Sequence, residues 1–151
     1  MSRAVDVDAE AEQIVRWAAA RAGVIAVIPL LGGTALLANQ FYMVNRLGQL
    51  RGATLTVSSI KGFVTAFAGA IAGQTASMLI PLPFVQIPIA ISITYAVGKA
   101  ADAWLADGMP EEYDRYKAVY EQAKDFAKRN LGTFKKDPRK DKPLGDESKK
   151  F

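Results

Sequence analysis

The sequence predicts an all-α protein with two Pro-broken, membrane-embedded helical hairpins, a C-terminal amphipathic helix and a disordered basic tail. Two observations carry this prediction. No carboxylate occurs between Glu12 and Asp102, and two long segments of that stretch, 22–45 and 62–98, contain no charged residue. A soluble domain normally scatters charges of both signs over its surface, whereas apolar blocks bounded only by positive charge are typical of membrane-inserted segments.

The composition argues against catalysis. The 151-residue chain has no Cys and no His, so the usual metal ligands, nucleophiles and general bases are missing from its apolar middle. An enzyme would depend on Asp102, Asp107 and the acidic residues near the C-terminus alone. We therefore expect no enzymatic activity, no catalytic residues, no metal site and no cofactor.

Positive charge is concentrated near the C-terminus. The net charge is +4, and residues 132–151 contain seven basic and four acidic residues. This distribution suits anionic lipid headgroups better than a nucleic-acid groove, so we expect membrane lipid and no nucleic acid as a partner. Acidic residues among the first dozen positions argue against a secretory signal peptide. They predict an N-terminus on the cytoplasmic side.

The first predicted hairpin consists of helices over about 9–28 and 35–50. Acidic residues precede an Ala-rich run of good helix formers, and acidic side chains at that position complement the helix dipole. Pro29 ends the first helix, because proline disfavours the helical conformation of the residue before it. Residues 30–34 include two glycines and predict a turn.

The second predicted hairpin joins a helix over about 59–80 to one over about 89–105, which Gly108 ends as a C-cap. Three prolines lie between these helices, and the apolar residues around them are not expected to stay helical for long. Each hairpin is thus a helix, a proline-containing break and a second helix. The residues of the two breaks are Pro29, Gly32, Gly33, Pro81, Pro83 and Pro88.

The chain after the hairpins is charged. Pro110 and the acidic residues after it start a helix over about 110–130, which presents an aromatic stripe. The stripe indicates either packing against the bundle or an interfacial helix with its rings at headgroup level. Residues 132–151, rich in Lys and poor in apolar side chains, predict disorder. We divide the chain into a hairpin domain (1–108), a cytosolic amphipathic helix (109–131) and this tail. The stripe consists of Tyr113, Tyr116, Tyr120 and Phe126.

Every basic residue of the apolar middle lies at the end of a helix opposite to a proline break. Two hairpins with their tips in or through the bilayer would therefore place all cations on one face, as the positive-inside rule requires. Trp at the same ends fits an interfacial aromatic belt. A full crossing needs about 20 apolar residues, and the helix lengths leave open whether the tips emerge on the far side. The predicted headgroup contacts are Arg16, Trp17, Arg21, Arg46, Arg51, Lys61, Lys99 and Trp104.

Small and polar side chains within the hairpins predict contacts between helices. Small residues let helices approach closely in lipid, either within one chain or between the copies of a homo-oligomer. The small residues along one side of the third helix are Ala66, Gly69, Gly73 and Ala76. Uncharged polar side chains form interhelical hydrogen bonds or line a polar path, and the first is far commoner. Those in the apolar helices are Asn39, Gln40, Asn45 and Gln74.

Residues 17–30 read Trp-Ala-Ala-Ala-Arg-Ala-Gly-Val-Ile-Ala-Val-Ile-Pro-Leu. The second half contains Leu-Ile-Pro-Leu at 79–82 and Thr-Tyr-Ala-Val-Gly-Lys-Ala at 94–100. These segments resemble the Ala-rich helix, the Ile-Pro break and the Tyr-Ala-hydrophobic-Gly-Arg/Lys-Ala segment of the YcjF-like bacterial membrane proteins, a family of unknown function. The resemblance covers about residues 14–105 of this sequence.

The resemblance implies association with the bacterial cytoplasmic membrane. Some family members carry this domain behind a GTPase domain, which this sequence does not contain, so the resemblance implies a separate GTPase or other cytosolic partner. Family members tend to have Gly and Asp after the first Pro, where this chain has Leu-Gly-Gly-Thr at 31–34. The family offers no catalytic residues to transfer.

Three hypotheses follow from the sequence. The first is a non-enzymatic membrane anchor or scaffold that self-associates, recruits a cytosolic partner and keeps both termini in the cytoplasm. The second is an oligomeric pore or carrier. The third is a soluble helical bundle that buries its apolar helices in a large assembly, because short buried helices and membrane helices have similar sequences.

Overall fold

A computed structural model describes residues 3–28, 32–67, 69, 72 and 82–144. Over these residues the protein is helical and contains no strand, which confirms the all-α prediction. The helices are α1 (Arg3–Ile25), α2 (Gly32–Leu50), α3 (Val57–Ala66), α4 (Pro83–Ala106), α5 (Asp114–Arg129) and α6 (Leu131–Lys135), followed by a 3-10 helix (Pro138–Asp141).

Two residues of the first predicted break, Gly32 and Gly33, belong to a helix in the structure. α2 begins at Gly32, so the glycine pair predicted as a turn forms the first residues of a helix. Glycine lowers helix propensity by only about 1 kcal/mol relative to alanine, and packing of α2 against α1 outweighs that loss. Pro29 and Pro81 lie outside the described residues.

The prolines at 83 and 88 also belong to a helix, so the prediction that they break the second hairpin is wrong. Pro83 occupies the first position of α4, where a backbone N–H has no intrahelical partner in any case. Pro88 lies inside the helix and removes one backbone hydrogen bond. The helix continues because the turns on either side of Pro88 pack against α1, with Ile87 and Ile91 against Gly23.

α1, α2 and α4 form a three-helix core with defined directions. Glu12 of α1 contacts Lys99 of α4, and Gly23, further along α1, lies against Ile87 and Ile91, earlier in α4, so these two helices are antiparallel. Asn39 of α2 contacts Ala18 of α1, and Gln40 of α2 contacts Thr94 of α4. Arg51, just after α2, contacts Asp8 of α1 and Asp102 of α4. α2 therefore runs antiparallel to α1 and parallel to α4, which brings Asp8, Arg51 and Asp102 together at one end of the bundle.

The three core helices approach most closely at Gly98. A Cβ atom at this position would lie 2.6 Å from Val15 Cγ1 of α1 and 2.7 Å from Met43 Sδ of α2. Real side chains do not tolerate such distances without a shift of their neighbours. Gly98 is therefore the residue that lets α1 and α2 pack against α4 at the same level.

α5 lies along α4 and buries its aromatic stripe there. Tyr116 and Tyr120 are buried, and Phe126 stacks on Tyr95 of α4 with ring centroids 5.5 Å apart. Tyr113 lies edge-on to Phe63 of α3. The packing interpretation of the stripe is therefore confirmed, because these rings face protein, and a ring buried on its own core is not available for a headgroup layer.

The first part of the tail is ordered against α1, which corrects the prediction of disorder for 132–144. Phe134 and Leu144 are buried in the main core although they are widely spaced in a polar sequence. Phe134 packs edge-on against Tyr95 with ring centroids 5.1 Å apart. Composition alone missed this because two apolar anchors are enough when neighbouring helices provide the rest of the contacts. Residues 145–151 lie outside the described part of the chain.

α4 is the helix most relevant to a membrane. Among the residues that the structure describes, it is the one helix long and apolar enough to cross a bilayer. Of its apolar stretch, 67% is buried inside the bundle. Because the central helix of a water-soluble bundle has the same properties, α4 alone does not decide between the two environments.

Candidate membrane-binding end

Four of the six exposed large apolar side chains in the described residues lie at the end of the bundle opposite to the Arg51 ion pairs. Val27 and Ile28 follow α1, while Leu82 and Phe84 lie at the start of α4. The antiparallel pairing of α1 and α4 brings these two places to the same level. Phe84 is 74% exposed, which is unusual for a phenylalanine in a packed bundle. We call these four residues the apolar end.

A small core supports the apolar end from below. Ala22, Ile25 and Ala26 of α1 and its C-terminal turn pack with Leu36 of α2 and Ala90 of α4, separately from the main core. All five side chains are buried. The exposed side chains therefore stand on a packed layer rather than on an isolated loop.

The exposure of Leu82 and Phe84 was not predicted, because their region was expected to form a break between two helices. The signal was present in the sequence: an uncharged Leu-Pro-Phe sits directly where a helix begins. The pairing of this segment with the end of α1 cannot be inferred from the sequence. That pairing turns two short apolar segments into one surface.

The charged end of the bundle is organised around Glu12. Its carboxylate accepts hydrogen bonds from Arg16 at 2.9 Å, from the Tyr95 hydroxyl at 2.7 Å and from Lys99 at 2.7 Å. The Arg16 guanidinium also lies over the rings of Phe126 and Phe134, 5.6 Å from each centroid. Arg16 and Lys99, predicted to contact headgroups, thus bind a carboxylate of their own chain.

Arg51 forms a second ion pair at the same end. It donates to both oxygens of Asp102, at 2.6 and 2.9 Å, and to Asp8 at 2.9 Å. The hydrogen bonds to Asp102 raise the pKa of Arg51, so the guanidinium stays charged. The predicted headgroup role of Arg51 is therefore corrected. Its partners escaped sequence reasoning because they lie 43 and 51 residues away along the chain.

The C-terminal segment covers three more of the predicted headgroup residues. The Trp17 indole donates to the carbonyl of Lys142 at 2.8 Å, and Arg21 donates to the carbonyl of Lys140 at 3.3 Å. Arg46 donates to the carbonyl of Leu144 at 3.5 Å and lies over the Trp17 ring. These side chains hold the segment in place, and their contact with headgroups stays a prediction.

The two remaining headgroup predictions have different outcomes. Trp104 is 1% exposed and donates to the carbonyl of Pro110 at 2.9 Å, so it is a core residue and its predicted membrane contact is wrong. Its position at the cation-bearing end of a long apolar helix suggested an interfacial belt, but Phe63 of α3 and Tyr113 enclose it. Lys61 is exposed on α3, and its headgroup contact stays a prediction.

Polar residues within the core helices hold helices together. Asn39 donates to the carbonyl of Ala18 at 2.9 Å, and Gln40 donates to Thr94 Oγ1 at 3.0 Å. Both side chains are buried, which favours interhelical hydrogen bonding over a polar path. Asn45 is half-buried on α2. Gln74 lies outside the described residues.

Two of the four residues of the small-residue stripe, Ala66 and Gly69, lie within the described residues. Ala66 packs against the main core, while a Cβ atom added to Gly69 would meet no neighbouring atom within 4 Å. Gly73 and Ala76 lie outside the described residues. The choice between packing within the chain and a contact between copies therefore stays a prediction.

The Glu12 cluster makes stability depend on pH. Burial raises the pKa of Glu12, but hydrogen bonds from Lys99 and Tyr95 outweigh it and hold that pKa below its ordinary value of 4.5. A lowered pKa in the folded state contributes stability that is complete above the unfolded value and is lost as pH falls through the folded value. We expect the urea midpoint to fall with pH below about 4.5, and Glu12→Gln to flatten that fall.

Glu10→Gln, which changes an exposed carboxylate on the same helix, is the control for this measurement. The unfolding midpoint of each variant is followed by circular dichroism from neutral pH to the acid range. A Glu12→Gln profile with the same acid slope as the control contradicts the assigned role of Glu12.

Within the described ranges, no group of three or more His, Cys, Asp or Glu side chains is arranged to hold a metal ion. No protein-family model, curated protein or solved structure matches this chain. The resemblance to the YcjF-like membrane proteins therefore stays a prediction.

Proposed function

We propose that the protein is a non-enzymatic membrane anchor or scaffold whose apolar end inserts into a lipid bilayer. One observation carries the proposal: of the six exposed large apolar side chains in the described residues, four, namely Val27, Ile28, Leu82 and Phe84, share one end of the bundle, while the ion pairs of Glu12 and Arg51 lie towards the other. A contiguous apolar surface on an otherwise ion-paired protein marks a site for a membrane or another protein.

The burial of the core helices supports insertion at the bilayer surface rather than a pair of separate spanning hairpins. α4 is enclosed by α1, α2 and α5, and its apolar side chains already contact protein. Moving the whole bundle into lipid would bring the Glu12 and Arg51 ion pairs with it, at a high energetic cost. Insertion of the apolar end alone leaves these charges in water.

The apolar end has enough surface for stable contact with lipid. Transfer of one large apolar side chain out of water contributes about 1.5–3 kcal/mol when burial is complete. Phe84 at 74% exposure and Leu82 at 43% offer much of that contribution, since the protein leaves them in water. Association through these two side chains is weaker than that of a single lipid anchor, which itself binds membranes only reversibly, so we expect reversible binding.

Recruitment of a cytosolic partner, self-association and location at the cytoplasmic membrane with both termini cytoplasmic belong to the same proposal. They rest on the charge pattern of the sequence and on the resemblance described above. The pore alternative loses support, because the buried Asn39 and Gln40 are used in helix packing.

The soluble-bundle alternative is the second candidate, and the burial of α4 favours it. In that case the apolar end would pack against another copy of the chain instead of against lipid. The two candidates make different predictions for the same residues, because lipid insertion needs no partner chain.

Flotation with lipid vesicles tests the proposal. The purified chain is expected to float with vesicles, and the Leu82→Ser/Phe84→Ser variant to bind at least about tenfold more weakly, because two large apolar side chains lose most of their transfer free energy. Val57→Ser is the control, since Val57 is 71% exposed on α3, away from the apolar end.

A chain that stays with the soluble fraction in the presence of vesicles contradicts membrane insertion. If the same double substitution instead converts an oligomer into a monomer in light scattering, the apolar end is an interface between copies and the second candidate holds.

A further inference from the structure

The C-terminal segment brings lysines to the side of the bundle just below the apolar end. A shallow cleft of about 120 Å³ lies there between α1 and α4. Its floor is apolar, and two lysines stand at its edge. The residues of the floor are Ala20, Gly23, Val24, Ile87 and Ile91, and the lysines are Lys135 and Lys140.

The distance between these lysines and the apolar end can be read from helix geometry. Val24 in the cleft precedes Ile28 by four residues, and Ile87 follows Phe84 by three. The deeper lining residues Ala20 and Ile91 are eight and seven residues away from Ile28 and Phe84. At 1.5 Å per residue the cleft therefore spans about 5–12 Å below the apolar end. Interfacial segments bury their apolar face about 5–10 Å deep, at the boundary of headgroups and acyl chains. The carbonyl of Lys140 accepts a hydrogen bond from Arg21, which places this lysine about 10 Å below the apolar end, on the headgroup side of that boundary.

The contacts of the C-terminal segment, residues 131–144, leave the charges of Lys135 and Lys140 free of an acidic partner within the described residues. Arg139 pairs with Asp137 at 2.8 Å, which neutralises one acid and one base. Lys140 donates to the carbonyl of Lys135 at 2.9 Å, a contact that orients its ammonium group without cancelling the charge. Lys135 is exposed. On the other side of α4, the exposed Lys128 borders a second cleft together with Ile89 and Ile93.

We infer that Lys135 and Lys140 bind the phosphate groups of anionic phospholipids while the apolar end enters the acyl region. The inference rests on the proposed insertion and adds the lipid class that the protein selects. Basic side chains at the surface of an anionic leaflet each strengthen binding, whereas a neutral leaflet gives them little attraction. The ordered C-terminal segment would thus act as the part of the protein that distinguishes membranes by charge.

The test compares vesicles of pure phosphatidylcholine with vesicles containing about a third phosphatidylglycerol, an anionic lipid. The unaltered chain is expected to prefer the anionic vesicles. Lys135→Gln/Lys140→Gln is expected to weaken binding to them on the order of 30-fold at low salt, from about fivefold per lysine. Its binding to phosphatidylcholine is expected to stay unchanged, and Lys135→Arg/Lys140→Arg to keep the preference.

The matched control is Arg115→Gln/Lys117→Gln, which removes the same charge from two exposed basic side chains at the start of α5. An anionic preference that survives Lys135→Gln/Lys140→Gln, or that the control variant loses equally, overturns the inference and leaves membrane insertion standing. Equal weakening on both vesicle types also overturns it, because the lysines would then act through structure. If the unaltered chain binds neither vesicle, both proposals fail.

Discussion

Trp104→Ala is expected to lower the free energy of unfolding by about 4 kcal/mol. The indole is 1% exposed and packs against Phe63 with ring centroids 5.0 Å apart. Removal leaves a large cavity where α3, α4 and the start of α5 meet, and it leaves the carbonyl of Pro110 without its indole donor. Such a loss is a large part of the 5–15 kcal/mol that stabilises an ordinary domain.

Urea unfolding followed by far-ultraviolet circular dichroism measures this loss. Trp104→Phe keeps an aromatic ring in the same space. We therefore expect it to lower the free energy of unfolding by less than half as much as Trp104→Ala does. Trp17→Ala is the matched tryptophan control, because Trp17 is only partly buried. If Trp104→Ala costs no more than Trp17→Ala, Trp104 is not the core residue described above.

Asp102→Ala is expected to destabilise the protein by about 3 kcal/mol, in the range measured when one member of a buried ion pair is removed. The Arg51 and Asp102 side chains are 15% and 14% exposed, so water replaces the lost partner poorly. Arg51 would keep Asp8, whose side chain is 72% exposed and contributes less.

A double-mutant cycle measures the pair itself. Arg51→Ala, Asp102→Ala and the double variant are unfolded under the same conditions, and a coupling energy of at least about 1 kcal/mol is expected. Asp114→Ala provides the exposed comparison, because its ion pair with Lys117 lies at the surface and such pairs contribute about 0–1 kcal/mol. A coupling near zero would falsify a structural role for the Arg51–Asp102 pair.

The helices themselves could be predicted from local sequence. The end of α4 near Gly108 and the packing of the Tyr116–Tyr120 stripe follow from capping and periodicity rules. The start of α5 was predicted at Pro110, but the helix begins four residues later, at Asp114. Buried Asn39 and Gln40 as interhelical donors follow from the same reasoning, because a polar group inside an apolar helix needs a partner.

The roles of the cations could not be predicted, since they depend on helix directions. A run without carboxylates from residue 13 to 101 suggests unpaired positive charge. In the fold, however, the acids that flank the run return to it: Glu12 to Lys99, and Asp102 to Arg51. Charge balance in this protein is a property of the folded bundle, and counting along the chain misses it.

For residues 132–144, the prediction of disorder failed for a related reason. Low apolar content signals disorder when a segment has to build its own core. Residues 131–144 need no core of their own, because Phe134 and Leu144 pack into the core formed by the other helices. Side chains of α1 and α2 also donate to the segment's backbone carbonyls, and composition does not record donors that come from another helix.

The hydrogen bond from Trp17 to the carbonyl of Lys142 joins residues 125 positions apart. The Glu12–Lys99 contact spans another 87 positions. Long-range contacts such as these raise the contact order above that of a helical protein whose helices contact only their neighbours in sequence. Folding rates fall as contact order rises, so this protein should fold more slowly than its helical content suggests. During synthesis, α1 therefore lacks part of its packing partners until residues 131–144 have been made.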